Sequence, residues 1–395
     1  MRLHHRDGTT VHLAYCTNVH PAEDLDGVLD QLRRFGEPVR AALGTERLGM
    51  GLWLADTAAA TLAADPGEVD RLRRGLDRRG LEVVTLNGFP YRGFHAATVK
   101  QAVYHPDWTQ PRRLAYTLNL ASVLAELMPD DAVRGSVSTV PLGWRDPWPE
   151  WAQRAALDQL DRLTEGLATV AARTGRPVRA GLEPEPGCVV ESSAEAVDRL
   201  GAIDHEWAGL CLDACHLAVG FEDPVTALGR IKGSGLPVVK AQASAALHAE
   251  HPADPATRRA LASFAEQRFL HQTRERAGDG LRRRDDLPGA LEGDPGGEDA
   301  LPGDGPWRVH FHVPLHAEPQ PPLRSTRAEL GATLDALFGG PTAVTDHVEV
   351  ETYTWGVLPS AARPTDDAGL IDGIAAELAW VRDRLLATGL TERAA

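Results

Sequence analysis

The chain has 395 residues, of which 43% are hydrophobic and 25% charged. That composition excludes a chain disordered from end to end and leaves room for one large domain or two or three ordinary ones. Lys plus Arg number 41 against 56 Asp plus Glu, a net charge of −15, which is a poor electrostatic footprint for nucleic acid, so no such partner is expected. The opening stretch MRLHHRDGTTVH has no apolar h-region, and no run approaches about 18 apolar residues, so neither a secretory signal nor membrane insertion is expected, and the expected location is cytoplasmic. Cys16, Cys188, Cys211 and Cys215 lie in or beside apolar runs without C-x-x-C spacing. They read as buried reduced thiols, with a reactive thiol at Cys16 or Cys215 as the alternative.

Short apolar runs alternate with amphipathic stretches along the chain. The predicted strands are His12–Asn18, Gly49–Ala55, Glu82–Asn87, Gly135–Pro141, Val178–Glu183, Ala208–Asp213, Val238–Gln242, Arg308–Pro314 and His347–Tyr353. Several are continuously apolar, as strands covered on both faces should be. Between them the spacing predicts helices over Ala22–Leu43, Gly67–Arg79, Arg112–Leu127, Glu150–Arg173, Ala194–Ile203, Pro224–Lys232, Pro255–Arg276, Arg327–Phe338 and Ala368–Leu386. Ser192-x-x-Glu195 and Thr326-x-x-Glu329 read as capping boxes.

Repeated strand–helix alternation argues for an α/β fold, closed as a (β/α)8 barrel or open and doubly wound. Asn18, Asn87, Glu183, Asp213, Gln242 and Glu351 all fall at C-terminal ends of strands. A barrel gathers such ends around one mouth, whereas an open sheet gathers only those near its switch point. The reading is therefore a single TIM-barrel domain over residues 1–395. There is no G-x-G-x-x-G after the first strand and no G-x-x-x-x-G-K-[ST], so no nucleotide phosphate site is expected. A barrel needs about 250 residues, so the chain carries additions. One is Gly88–Thr109. A larger one lies before the last strand, where Glu275–Pro306 is crowded with Gly, Pro and charge and reads as a flexible insertion. Nine strands is one too many for the barrel, and Arg308–Pro314 is assigned to this excursion.

Three segments carry chemistry. In RAGLEPE an apolar strand ends in Glu183, which a barrel would aim at its mouth; the alternative is a salt-bridged carboxylate. In GLCLDACH, Asp213 ends a strand and His216 follows three residues later. Carboxylate plus imidazole suits a borderline divalent cation, with a helix cap and a packed histidine as the alternative. In HVEVETYTW, His347, Glu349 and Glu351 share one face by period two. Ionisable groups along one face of a buried strand are costly unless paired or bound to a cation. Lys240 and Gln242 share a face, and His310 and His312 share parity, alternating as in a zinc site but with no third local ligand.

Glu183, Asp213 and Glu351 fall on strands five, six and eight of an eight-strand count. The pattern resembles the xylose isomerase-like TIM-barrel superfamily of sugar isomerases, sugar epimerases and endonuclease IV nucleases. More narrowly, YCTNVHP, LEPEPG, CLDACH, FLHQTR, HFHVP and VEVETYTW look like the EboE family of metabolite-traffic proteins. The resemblance implies a divalent cation (Mn, Zn, Mg or Co) held by Glu183, Asp213, Gln242 and Glu351, Gln242 standing where epimerases commonly have His.

The activity so implied is a metal-dependent isomerase or epimerase of a sugar-like or cyclitol-like polyol, phosphorylated or not. Glu183, Glu351 and His216 would be catalytic, with His216, Lys240, Arg274, His312 and Asn18 binding substrate. Other proteins of the same gene cluster are the implied partners. A non-catalytic metabolite carrier on the same barrel is the alternative, and an endonuclease IV-like phosphodiesterase a third reading.

Overall fold

The computed structural model describes residues 1–278, 280–293 and 299–392. In chain order its strands are β1 (Arg2–His4), β2 (Thr10–Cys16), β3 (Leu48–Trp53), β4 (Leu81–Asn87), β5 (Gly135–Thr139), β6 (Val178–Leu182), β7 (Ala208–Asp213), β8 (Val238–Ala243), β9 (Leu247–Ala249), β10 (Thr273–Ala277), β11 (Gly280–Arg284), β12 (Trp307–Val309), β13 (Arg324–Ser325) and β14 (His347–Val350). Strands β2 to β8 and β14 pair in parallel, and β2 pairs with both β3 and β14. The sheet is therefore closed, a (β/α)8 barrel with β1 added antiparallel outside β2. Helices surround it, among them Pro111–Leu127, Glu150–Thr174 and Asp367–Ala387. No described helix is long and apolar enough to cross a membrane. All four cysteines are buried and free.

The apolar core lies between strands and helices, while the barrel's interior is polar and layered. The face predicted to carry His347, Glu349 and Glu351 points into it. At the N-terminal level His347 Nδ1 and Thr85 both meet the hydroxyl of Ser136. One layer higher, the Lys240 ammonium pairs with Glu349, both side chains fully buried. Gly51 on β3 leaves the room: a Cβ there would stand 1.3 Å from Glu349 Oε1. At the top Glu351 reaches the mouth. The inward residues of one strand thus climb through three layers, as barrel geometry requires.

Between β8 and β14 the chain leaves the barrel and builds a second, antiparallel sheet in the order β11-β10-β12-β9-β13. This is the predicted insertion before the last strand, and β12 is the surplus ninth strand. Three expectations change here. The helix predicted over Pro255–Arg276 stops at Ala262, and Thr273–Arg276 belong to β10. Those residues alternate across an antiparallel pairing that helical spacing could not reveal. The segment 275–306, read as a flexible loop, contains the end of β10, β11 and a short helix Leu287–Glu292, and leads directly into β12; residues 279 and 294–298 of it lie outside the described residues. Finally, Ser192 and Glu195 form their capping box, but Thr326 and Glu329 do not. The Thr326 hydroxyl instead accepts from Ala246 N at 2.7 Å, and Glu329 pairs with Arg308. The excursion has taken both partners away from the helix end. A helix over Asp56–Ala64 was not predicted, because its Ala-rich sequence carries little amphipathic contrast.

Candidate active site at the barrel mouth

Glu183 follows β6, Asp213 ends β7 and Glu351 follows β14. One carboxylate oxygen from each lies within 4.8 Å of the others, and all three residues are buried. Glu351 Oε1 accepts from Asn18 Nδ2 at 2.7 Å and Asn87 Nδ2 at 2.9 Å. Asp213 Oδ1 accepts from Ser244 Oγ at 2.7 Å and from His216 N at 2.9 Å. One oxygen of Asp213 therefore caps the short helix Ala214–Val219. The cap reading and the site reading were posed as alternatives, and the residue does the first while its other oxygen remains free for the second.

Four acceptor oxygens at this mouth are buried without a hydrogen-bond partner: Glu183 Oε2, Asp213 Oδ2, Gln242 Oε1 and Asn18 Oδ1. Buried acceptors are normally satisfied, and a cluster of them calls for a cation or a group carrying donors. The residues present therefore fit a hard or borderline divalent ion. Burial first, then the charges of Glu351 and Asp213, push the Glu183 pKa well above the ordinary carboxyl value. Burial, then Asp213 and Glu349, does the same to Glu351.

Histidines form the other wall. His216 Nε2 lies 3.0 Å from His310 Nε2, which lies 3.2 Å from His312 Nε2. Burial lowers the His312 pKa to about 4 and holds that of His310 well below its usual value. Glu185 accepts from the Tyr104 hydroxyl at 2.6 Å and from Gln272 Nε2 at 3.4 Å, and burial raises its pKa. The three histidines, Glu185 and Tyr104, with Asn18, Glu183, Glu351 and the rings of Phe94, Phe269 and Tyr353, line a cavity of about 50 Å³. That is room for a few water molecules, because the excursion covers the mouth. Val99 N and Lys100 N donate to Arg268 O at 2.7 and 2.9 Å, and Lys100 Nζ donates to Phe269 O at 2.8 Å.

The structure thus brings together Asn18, Glu183, Asp213, His216, His312 and Glu351. Gln242 is buried on β8, beside Asp213 in register. Two expected substrate-binding residues go elsewhere. Lys240 is committed to Glu349 in the layer beneath the mouth. Arg274, expected to hold an anionic group, is 1% exposed and donates to Glu191 Oε1 at 2.6 Å. Its segment is in fact part of β10, and the side chain turns to Glu191 on the connection after β6. Tyr104 and Gln272 were not predicted as site residues, because nothing local in the chain shows that they meet, at 2.7 Å, across 168 positions.

The class that emerges is an eight-stranded parallel α/β barrel with carboxylates and imidazoles at its C-terminal mouth. The family model described as xylose isomerase-like TIM barrel matches residues 45–281, and the protein belongs to that family. Its fold is similar to that of a xylose isomerase-like TIM barrel protein from Mycobacterium smegmatis in complex with magnesium (TM-score 0.51, 12% identity, 95% of this chain and 98% of that one). It is also similar to an L-ribulose 3-epimerase (TM-score 0.50, 12% identity, 96% and 95%). A D-psicose 3-epimerase from Clostridium cellulolyticum H10, solved with D-tagatose, aligns over 95% of this chain and 99% of its own at 14% identity and a TM-score of 0.48. No curated protein matches the sequence.

The raised carboxyl pKa values set a pH dependence. A buried acid whose folded pKa exceeds its unfolded one stabilises the fold below the unfolded value, and that contribution is lost as pH rises through the folded one. A cation competes with those protons, so its affinity rises with pH, by about tenfold per pH unit for each proton displaced. Calorimetric titration of chelator-treated protein with Mn²⁺ at pH 6, 7 and 8 is expected to show this rise, together with proton release. A pH-independent affinity would remove Glu183 and Glu351 from the ligand set.

Proposed function

We propose that this protein is a divalent-metal-dependent isomerase or epimerase of a sugar-like or cyclitol-like polyol, phosphorylated or not. The observation that carries the reading is the convergence of Glu183, Asp213 and Glu351 around unpartnered acceptor oxygens at the mouth of a xylose isomerase-like barrel. The cation, from the class of Mn, Zn, Mg or Co, would be held by these carboxylates with Gln242 Oε1, and when bound it supplies Lewis-acid polarisation of a substrate carbonyl.

The chain's own groups divide the remaining work. Glu183 and Glu351, on opposite sides of the cup, move a proton on and off the carbon beside that carbonyl. Asn18 and Asn87 hold Glu351 in place through Oε1. His216 and His312 orient hydroxyls, both imidazoles being fixed by backbone carbonyls. The aromatic cover excludes water once it has closed over a ligand, and a ligand of sugar size enters only when that cover lifts. The chain is read as one barrel unit with the excursion as its cover. The motifs around Tyr15–Pro21 and Glu351–Trp355 support EboE-type membership, and with it a place in a metabolite biosynthesis or traffic pathway alongside other proteins of its gene cluster.

The test is hydrogen exchange. Purified Mn²⁺-loaded protein, incubated in D₂O with a panel of ketohexoses, keto-cyclitols and their phosphates, is expected to place deuterium on the carbon next to the carbonyl of at least one. Tight binding without exchange would favour the carrier reading, for which the covered mouth and the neutral Gln242 speak. Neither binding nor exchange across the panel would overturn the proposal.

A further inference from the structure

One buried acid outside the mouth has no part in the chemistry described above. Glu377 lies on the inner face of the helix Asp367–Ala387 and is 1% exposed. The other buried residues of that helix are Gly373, Ile374, Ala375, Leu378, Val381 and Leu385, so the face is otherwise apolar. A buried carboxyl is costly there unless hydrogen bonds satisfy it. Glu377 Oε1 accepts from Leu315 N at 2.9 Å and from the Thr352 hydroxyl at 2.6 Å.

Those two donors belong to different parts of the molecule. Leu315 is on the arm of the excursion that follows β12, three residues after His312. Thr352 begins the turn that follows β14, one residue after Glu351. The arm and the turn lie side by side: His312 Nδ1 is 2.7 Å from Glu351 O, and the Thr354 hydroxyl donates to His312 O. Farther along, the His316 ring stacks on Trp355. All of these contacts are made by the arm and the turn themselves. Glu377 comes from a third element. It draws one donor from each segment onto a single oxygen, and so sets their spacing against the barrel's last helix. It does not line the cavity at the mouth, so it acts only through the segments it holds.

We propose that Glu377 is a positioning residue: through Leu315 and Thr352 it holds the arm bearing His312 and the turn bearing Glu351 in one register, so that the two segments open and close together. The inference rests on the proposed function only for what His312 and Glu351 do to a substrate. Burial pushes the Glu377 pKa up to about 7, Thr352, Leu315 and Trp355 act the other way, and no charged group of the described residues contributes. Arg327, on the neighbouring helix, donates to Leu315 O at 3.0 Å and its guanidinium lies over the Trp380 ring. When the arm lifts, water reaches the carboxyl and its pKa returns toward the ordinary value. The docked state thus holds the proton more tightly. Its extra stability is fully present below the ordinary carboxyl range and is lost as pH rises through about 7.

The experiment is amide hydrogen exchange, read by mass spectrometry, on the full chain stripped with chelator. Glu377→Leu keeps the size and removes the acceptor. Glu377→Gln keeps the acceptor and cannot ionise. In the Leu variant, peptides over 309–316 and 351–358 are expected to exchange at least about tenfold faster, both together, while a peptide over β7 keeps its wild-type protection. After correction for the intrinsic exchange rate, wild-type protection of both peptides should fall by up to about tenfold per unit between about pH 5 and 7 and level off above. The Gln variant should show no such fall. Should the Leu variant fail to fold, the comparison of wild type with the Gln variant decides alone. A folded Leu variant with both peptides as protected as in wild type, one in which only one of them loosens, or matching pH profiles for wild type and the Gln variant would overturn the inference. The peptide readout uses neither metal nor substrate, so an absence of turnover in wild type would count against the isomerase reading alone.

Discussion

The Glu351→Gln variant is expected to fold, to bind Mn²⁺ at least about 100-fold more weakly, and to lose hydrogen exchange by about 10²- to 10⁴-fold. The substitution keeps the volume and one acceptor. The new amide oxygen still receives Asn18 and Asn87, so its NH₂ takes the place of the other carboxylate oxygen. A donor then faces the cup that Glu183 and Asp213 line with acceptors, and one negative charge is gone. Without metal, the same change relieves a crowded buried acid whose pKa is forced upward, so the stripped variant should melt at or above the temperature of stripped wild type. Titration calorimetry, the D₂O assay and thermal melts check the three parts. A variant that keeps both affinity and exchange removes Glu351 from the site. One that still binds a metabolite yet was never matched by wild-type turnover supports a carrier.

The second large effect lies one layer below. Lys240→Met is expected to cost about 3–5 kcal/mol of stability, the usual result of leaving one partner of a buried ion pair uncompensated. Lys240 and Glu349 are both wholly buried, and Glu349 Oε1 has no hydrogen-bond partner, so little else offsets the remaining carboxylate. The Lys240→Met/Glu349→Leu double variant should recover most of the loss, since apolar replacement of the whole pair is often neutral or better. Denaturant unfolding of the wild type, both single variants and the double variant measures the coupling. A loss under about 1 kcal/mol for Lys240→Met would show that the pair is not what holds this layer. Lys240 also stands among the charges that act on Glu183 and Glu351, where it favours their ionised forms. It therefore acts on the site from beneath, as a positioning charge.

Much of the barrel was legible because its strands are buried on both faces and read as apolar runs. Ala208–Asp213 was bounded as observed, and the ligand candidates could be chosen by asking which polar residue ends each run. Period-two parity on β14 correctly put His347, Glu349 and Glu351 on one face. The excursion was far less legible. Its strands are short, its pairings antiparallel and distant in sequence, and its polar residues are occupied by partners no local pattern announces. Arg274 illustrates this: on a loop folded over the mouth it would clamp an anionic group, yet Glu191 claims it across 83 positions. His310 and His312 share parity, but the imidazole that His310 meets, His216, comes from the helix after β7, 94 positions away.

By itself the sequence determined which residues end the buried strands, because alternation and apolarity are local properties of the chain. From those it also determined that Glu183, Asp213 and Glu351 stand at C-terminal ends of strands. Only the tertiary structure decided that the barrel closes, that Lys240 is spent on Glu349 beneath the mouth, and that the excursion folds back to bring His310 and His312 against His216. Those outcomes depend on pairing, layer height and ring orientation between segments far apart in the chain, and no local periodicity encodes them.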